Sequence, residues 1–405
     1  MAQTGPTPYI FPTLAPTATY PPELATLVAK ENCMRSFDEF AYQGTMNQTH
    51  LSTLPQSPWQ YEATIPTSFN EWHLPGYFDQ QVKLARWMNG EQEIWVKGWE
   101  LDQPVWFIYR PASFSWERVS RAIDGTELFG DDLFLFPDGT VWSNVEWYTW
   151  GDNIPNRETA PVLSRFDENT RQFVIPDDMM ETHLTKEERI AYSHWSWPKI
   201  VLGEGGDFWI FDHYDGLYRY NPIEKATEKR VDWPEYPVYS IALSPDGSLY
   251  FSIPKSGSSY AVVEGMILQF VPETDEVIQV DIPDEPWPKF QGMLVDQSGR
   301  LWLGSTGYRD IDGDWHLILP DPQVVFDHAG EFWWFRPYIL TESSDGKQWY
   351  IRFIDGGGDG TAWYDPKTGE GCQITDYTTN IVEDSNQQLW LLADGKLFVL
   401  PRLAS

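Results

Sequence analysis

Leu133–Trp142 reads LFLFPDGTVW, Ile241–Tyr250 reads IALSPDGSLY, and Met293–Trp302 reads MLVDQSGRLW. Each is a β-rich run, a tight turn holding Asp or Ser and Gly, and a second β-rich run ending on a large aromatic. The form returns at Val325–Trp334 and Val382–Trp390, and more weakly at Val201–Trp209. Asp bonds its own backbone locally and Gly supplies positive φ, so two antiparallel strands reverse within a few residues. Asp138, Asp246 and Asp296 are spaced from Gly139, Gly247 and Gly299 as turn chemistry requires, and are expected to be structural. Their aromatic and β-branched flanks suit buried strands.

A second piece follows each hairpin. It is a strand such as Leu163–Asp167, Leu217–Pro222, Ile267–Pro272 or Ala362–Pro366, then a last strand that often ends in Pro: Arg171–Pro176, Lys229–Pro234 and Val277–Pro283. Proline suits an outer edge strand, where its missing donor costs little. Four antiparallel strands recurring at roughly 40- to 50-residue intervals form the pattern of a β-propeller. Units are expected near residues 69–123, 127–178, 197–234, 238–283, 289–336 and 337–376, with a shorter stretch at 379–401. Residues 59–66 (WQYEATIP) look like an orphan last strand that completes the C-terminal blade, closes the ring and removes free edges. The expected fold is an all-β, seven-bladed β-propeller over 59–405. The division between 289 and 376 leaves six or eight blades open.

Met293–Gly304 (MLVDQSGRLWLG) followed by Ser305-Thr306-Gly307, together with Asp215–Pro222 (DGLYRYNP), resembles the two-component-regulator propeller repeat. The likeness covers roughly residues 130 to 400 and is strongest at 293–306. In the 69–123 unit only Trp95, Trp99 and Trp106 serve as anchors. The resemblance implies a bacterial, extracytoplasmic sensor of carbohydrate-related signals, fused to a membrane helix and a kinase. This sequence departs from that pattern, with neither a membrane helix nor a kinase after residue 401. Related propellers include streptogramin lyases, lectins and hydrolases, and fold alone does not choose among them.

Composition narrows the function. With 28 Lys+Arg against 60 Asp+Glu the net charge is −32, which argues against nucleic acid and against an anionic membrane surface as partner. No apolar run is long enough to span a bilayer. The 22 Trp, 20 Tyr and 22 Phe exclude an acidic disordered chain. Residues 4–22 (TGPTPYIFPTLAPTATYPP) favour an extended, polyproline-like tether over 1–22. Such stretches resemble those after the start of lipid-anchored or secreted bacterial surface proteins. Leu24, Leu27 and Val28 have helical spacing, so a short amphipathic helix is expected within 23–40, part of an extension over 23–58. Cys33 and Cys372 are expected to form one disulfide, which export permits.

Propeller topology sorts the loops into two faces. One face takes the connections between second and third strands and between blades; the Asp/Gly turns lie on the other. The first face is expected to carry Glu146, Trp147, Tyr148 and Trp150, then Asp212, His213, Tyr214 and Asp215, then Tyr308 and Arg309. Its inter-blade loops are expected to add His194, Trp195, Trp197 and Trp287. Flat rings stack on pyranose faces while carboxylates accept from hydroxyls, so a glycan is one expected ligand. A partner protein anchored by Trp, Tyr and Arg is the other, and plain packing between blades is the structural alternative. Asp310, Asp312 and Asp314 alternate around Gly313 and resemble a calcium loop; Asp355 and Asp359 in the neighbouring blade are expected to share the ion. The loop lacks the Gly and the closing acid that such loops carry. For catalysis only His194 with Glu146, and His213 with Asp212, are candidate pairs for a lyase or glycosidase. The expectation is therefore an exported, non-catalytic binding module. The alternatives are a carbohydrate-active or lyase-type enzyme, or a structural subunit of a surface assembly.

Overall fold

The computed structural model describes residues 35–36, 60–65, 81–100, 103–119, 132–145, 159–179, 181–183, 198–203, 205–212, 215–233, 238–254, 265–283, 292–304, 307–318, 325–326, 332–333, 338–354, 357–375, 380–393 and 395–400. Every regular element among them is a β-strand. The strands form seven antiparallel meanders, and the chain is an all-β, seven-bladed β-propeller.

Blade one holds Gln81–Met88, Glu91–Glu100, Gln103–Arg110 and Ser115–Arg118. Blade two holds Leu133–Leu135, Val141–Asn144, Leu163–Asp167 and Gln172–Val174. Blade three holds Lys199–Leu202, Phe208–Asp212, Gly216–Asn221 and Ala226–Val231. Blade four holds Ser240–Leu243, Leu249–Pro254, Gly265–Val271 and Glu276–Val280. Blade five is compact: Met293–Val295, Leu301–Leu303, Gly307–Arg309 and Trp315–Leu317. Blade six holds Tyr338–Glu342, Gln348–Ile354, Gly357–Asp365 and Glu370–Thr375. Blade seven has Ile381–Glu383, Leu389–Ala393 and Lys396–Leu400 from the C-terminal end, and its fourth strand is Gln60–Thr64. Gln60 faces Val399 and Thr64 faces Lys396, as the orphan-strand reading requires.

The chain divides into two compact units. One contains blades one and seven and blade six from Ser343 onward; the other contains blades two to five and strand Tyr338–Glu342. Within each, the apolar cores lie between successive blades. Ile65, following the closing strand, is buried with Val82, Ile94 and Trp390, so the N-terminal strand is pinned by packing as well as by its ladder. Phe211, Trp233, Phe251 and Phe270 fill the space between blades three and four. Burying side chains of this size contributes about 1.5–3 kcal/mol each.

Six of the first hairpins share one turn. The turn-start amide bonds to the carbonyl four residues on, and the amide three residues on bonds back: Asp296 N to Arg300 O at 3.0 Å and Gly299 N to Asp296 O at 2.8 Å in blade five. The returning residue has positive φ, 80° at Gly299, and a Cβ there would meet Ile311 Cγ2 at 3.1 Å. Blade one departs, reversing through Asn89-Gly90, both with positive φ.

Three expectations are corrected. Arg35–Ser36, inside the expected helix, is a two-residue strand pairing with Gln373 and Cys372 at the outer edge of blade six; a free sheet edge offers bonds that outweigh weak helical spacing. The rest of 23–40 lies outside the described residues. The fifth unit does not run to 336. Its fourth strand is Trp315–Leu317, and Val325–Phe326 pairs with Phe332–Trp333 in a separate two-stranded sheet. Asp138, Asp246 and Asp296 are structural turn residues as expected, each accepting a turn amide, but they hold two different positions. Asp138 and Asp246 sit one residue before the positive-φ Gly and cap it from outside, whereas Asp296 starts the turn and is buried. Finally, Tyr308 to Asp314 does not lie in a second-to-third-strand loop. Tyr308 and Arg309 belong to the third strand, and Asp310–Asp314 turns into the fourth. Strands of three residues bring these groups forward by a whole strand.

Asp296→Ala is expected to cost about 3 kcal/mol, because it strips the acceptor from a buried indole and two turn amides. Asp138→Ala, which loses one exposed bond, is expected to cost about 0.5–1 kcal/mol. Denaturant unfolding of the two variants checks the difference.

Candidate functional site

The shared turn lets the blades be compared position by position. The turn-start residue is Phe136 in blade two, Gly203 in three, Ser244 in four, Asp296 in five, Ser343 in six and Asp384 in seven. Six residues later stands a large aromatic, tryptophan in every case but Tyr250 of blade four. In blade five Trp302 Nε1 donates to Asp296 Oδ2 at 2.8 Å, and Arg300 Nε donates to the same oxygen at 2.6 Å. In blade seven Trp390 Nε1 donates to Asp384 Oδ2 at 2.7 Å. In blade six Trp349 Nε1 donates to Ser343 Oγ at 3.1 Å, and that hydroxyl donates to Asp345 Oδ1 at 2.6 Å. A buried indole N–H needs an acceptor, and the turn start supplies it. Phe136 cannot, so Trp142 Nε1 is buried without a partner.

Blade three breaks the rule differently. Gly203 has no side chain, and a Cβ there would stand 3.7 Å from Trp209 Nε1 and 3.3 Å from Asp207 O. The Trp209 ring packs in the core between blades three and four, with Phe270 edge-on at 5.5 Å and the Arg230 guanidinium at 5.8 Å, and among the described residues its N–H has no hydrogen-bond partner. The vacated space opens into a cleft of about 440 Å³ between blades three and four, at the end where the Asp/Gly turns lie. Its blade-three wall carries Asp207, Trp209, Arg219 and Arg230; its blade-four wall carries Asp246 and Glu273.

The cations of the cleft are already paired. Arg219 reaches Asp207 Oδ2 through Nη2 at 2.5 Å and Nε at 3.0 Å. Arg230 Nη2 donates to Asp275 Oδ1 at 2.6 Å and to Pro272 O at 2.8 Å, tying blade three to blade four. Asp207 Oδ1 is buried and has no partner. No sequence pattern pointed to this cleft. The signal was Gly203, standing where two sibling hairpins carry Asp and two carry Ser.

Of the expected ligand residues, Trp147, Tyr148, Trp150, Trp195, Trp197, Tyr214 and Trp287 lie outside the described residues, as do Glu146, His194 and His213. Asp212 is buried at the end of the second strand of blade three. The Tyr308 ring packs within its own blade, 4.7 Å from Trp302 and 4.8 Å from His316, with Arg300 at 5.1 Å. Asp310 starts a turn of the same design as Asp296. Its Oδ1 accepts from Asp312 N at 3.1 Å and Asp314 N at 2.9 Å, and its Oδ2 meets His316 Nε2 at 2.7 Å. Both oxygens are therefore engaged by the protein. Asp355 lies outside the described residues, and Asp359 falls at an irregularity within the third strand of blade six. Among the described residues no three His, Cys, Asp or Glu gather as a metal site. Cys372 is buried and disulfide-bonded. The chain has two cysteines, and the other, Cys33, lies outside the described residues.

No protein-family model matches the chain, and no curated protein does. Among solved structures it is similar to YCF48 bound to D1 peptide, at 14% identity and TM-score 0.49 over 87% of this chain and 98% of that one. It is similar to the extracellular domain of the hybrid two-component system BT4673 from B. thetaiotaomicron, at 14% identity and TM-score 0.48 over 86% of this chain and 42% of that one. It is also similar to PorZ, a surface component of the type-IX secretion system of Porphyromonas gingivalis, at 14% identity and TM-score 0.45 over 82% of this chain and 48% of that one. The chain spans less than half the length of the last two.

The His316 contact holds the Asp310 carboxyl below its ordinary value, opposed by a burial effect and helped by the Asp314 and Asp312 amides. A depressed folded pKa adds stability above the unfolded carboxylate value of about 3.9 and loses it as pH falls through the folded value. The melting-temperature gap between wild type and Asp310→Asn is expected to be open at pH 5 to 7 and to close in acid. Thermal melts across that range check it.

Proposed function

We propose that the chain is an exported, non-catalytic recognition module whose ligand is a glycan or a partner protein. The observation that carries this reading is the cleft between blades three and four. Its arginines are held by ion pairs before any ligand arrives, so the walls are pre-ordered and binding costs little side-chain entropy. Its volume falls within the range of small-ligand sites.

The groups with shifted protonation are ones held in fixed hydrogen bonds and ion pairs. A general acid or base works best with a pKa near the working pH. Burial and then the Asp215 bond push the Tyr218 hydroxyl up to about 12. Bonds to Asp215 and Asp232 raise Lys229. Asp345 is pushed up by burial, but Lys347 and Ser343 outweigh that and hold it below its ordinary value. Each of these moves away from neutrality. Glu62 moves toward it, raised by burial against the bond from Tyr109, and that carboxylate sits on the closing strand of blade seven.

The disulfide at Cys372 supports export, since such bonds persist in oxidising compartments. A Cys33–Cys372 bridge would tether the N-terminal segment beside the Arg35–Ser36 strand. The aromatic and acidic residues expected on the opposite face, calcium in its loops, and a lipid anchor or surface assembly through the Pro/Thr tether belong to the same proposal.

Titrating the purified protein with polysaccharide fragments, with and without Ca²⁺, while assaying the same samples for product tests it. A saturable change in tryptophan fluorescence without product is the expected outcome. Product formation would move the reading to the enzyme alternative.

A further inference from the structure

We propose that the outer strand of blade four, Glu276–Val280, is an open sheet edge that takes up an extended segment of a partner protein as a fifth strand, a segment apolar at its centre with Lys or Arg at its ends. The strand lies outside the lining of the cleft, so the inference goes beyond the reading above and does not rest on it. Its warrant is a comparison of the outer edges. Blades two and five end in strands of three residues, Gln172–Val174 and Trp315–Leu317, too short to template a partner. That of blade one has four residues and ends in Glu117-Arg118. The outer strand of blade three carries Glu228, Lys229 and Arg230 in succession, and its ladder is shifted between Leu217 and Tyr218. The closing strand of blade seven is shifted between Tyr61 and Ala63, with Glu62 at the irregularity. Charge, brevity and bulges are the devices that keep a sheet edge from pairing. The edge of blade six is already used: Arg35–Ser36 lies along it as a fifth strand, facing Gln373 and Cys372.

Blade four has none of these devices and, among the described residues, no fifth strand. Its outer strand reads EVIQV and pairs with Gly265–Val271 from Val271↔Glu276 to Ile267↔Val280 without a shift. Thr274 to Gln279 are all exposed, Val277 at 39% and Ile278 at 47%. Successive residues of a strand point to opposite faces, so this edge shows an aliphatic side chain on each face. An incoming strand covers both as cross-strand neighbours and extends the backbone ladder. Charge then selects the occupant. Glu276 stands at one end of the strand and Asp281 just past the other, both exposed, and among the described residues no cation engages either. A carboxylate at each end matches a segment with a cation at each end. A second copy of this chain does not match. An antiparallel pair centred on Ile278 sets Asp275 against Asp281 on both sides, between chains of net charge −32.

The probe is a synthetic peptide, acetyl-KTVIVTK-amide, whose central Val-Ile-Val presents an aliphatic side chain to each face. Binding is followed by fluorescence anisotropy of the labelled peptide up to about 1 mM protein, the weak end of specific affinity. Wild type is compared with Ile278→Lys, which puts a cation in the exposed middle of the edge. It is also compared with Ile223→Lys, a change at a 76% exposed residue in the outer turn of blade three. The proposal expects saturable binding by wild type, weakened by salt. It expects at least tenfold weaker binding in Ile278→Lys and unchanged binding in Ile223→Lys. The same peptide with Glu for both Lys is expected to bind at least tenfold more weakly. Hydrogen exchange read by mass spectrometry is expected to slow at the amides of 276–280 when wild type is loaded with the peptide, and this footprint carries the test should Ile278→Lys fail to fold. Absence of saturable binding overturns the proposal, as does binding unchanged in a folded Ile278→Lys or a footprint confined to other strands. Equal binding of the Glu-ended peptide overturns the choice of a cationic partner. Self-association of wild type that Ile278→Lys abolishes would give the edge to a second copy and overturn the partner assignment. None of these results bears on the cleft, which has its own titration.

Discussion

In blades five, six and seven a buried tryptophan hands its indole N–H to the first residue of the hairpin turn, whereas the Trp106, Trp142 and Trp233 indoles are buried without a partner among the described residues. Asp296 shows how much is gathered at one carboxylate: an indole, a guanidinium and two turn amides, on a side chain sealed from solvent. The bond fixes the turn, the turn sets the register of first and second strands, and register decides which faces enter the cores between blades. Asp384 repeats the arrangement in blade seven and also accepts from Gln92 of blade one. The same carboxylate thus serves a turn and the seam between the last blade and the first.

That constraint explains both the regular blades and the irregular one. Phe136 replaces the acceptor with an apolar ring that packs on Trp142 and Phe208, so the site stays filled and the orphaned indole is offset by aromatic contact. Gly203 replaces it with nothing, and the loss opens space beside a polar wall. The cleft is therefore a local departure from the repeat, which is where function is expected to sit in a repeat architecture.

Much of the architecture was legible because it is repetitive and local. The Asp/Gly hairpins, the Pro-ended outer strands and the orphan strand at 60–64 are short-range signals, and closure follows once the C-terminal blade is seen to lack a strand. The failures share a physical cause. Blade five uses strands of three residues, too short for alternation to show, so the sequence places the Asp310 turn one strand early. It is the turn of Asp296 again, with the same bonds from the second and fourth amides on. Arg35–Ser36 was read by helical spacing, which says nothing about an available sheet edge. The cleft was invisible because it is made by an absence, Gly203, and an absence has meaning only when hairpins are aligned on their turn bonds.

A turn-start acceptor for the indole separates blades five and seven from the open turn of blade three. Hydrogen exchange of the tryptophan indole protons, followed by heteronuclear NMR in D₂O, tests it directly. The Trp302 and Trp390 indole protons are expected to exchange only through opening of their blades, and the Trp209 proton to exchange at least about 100-fold faster. A Trp209 proton as protected as that of Trp302 would contradict it, because the indole would then have a partner and the cleft would be closed.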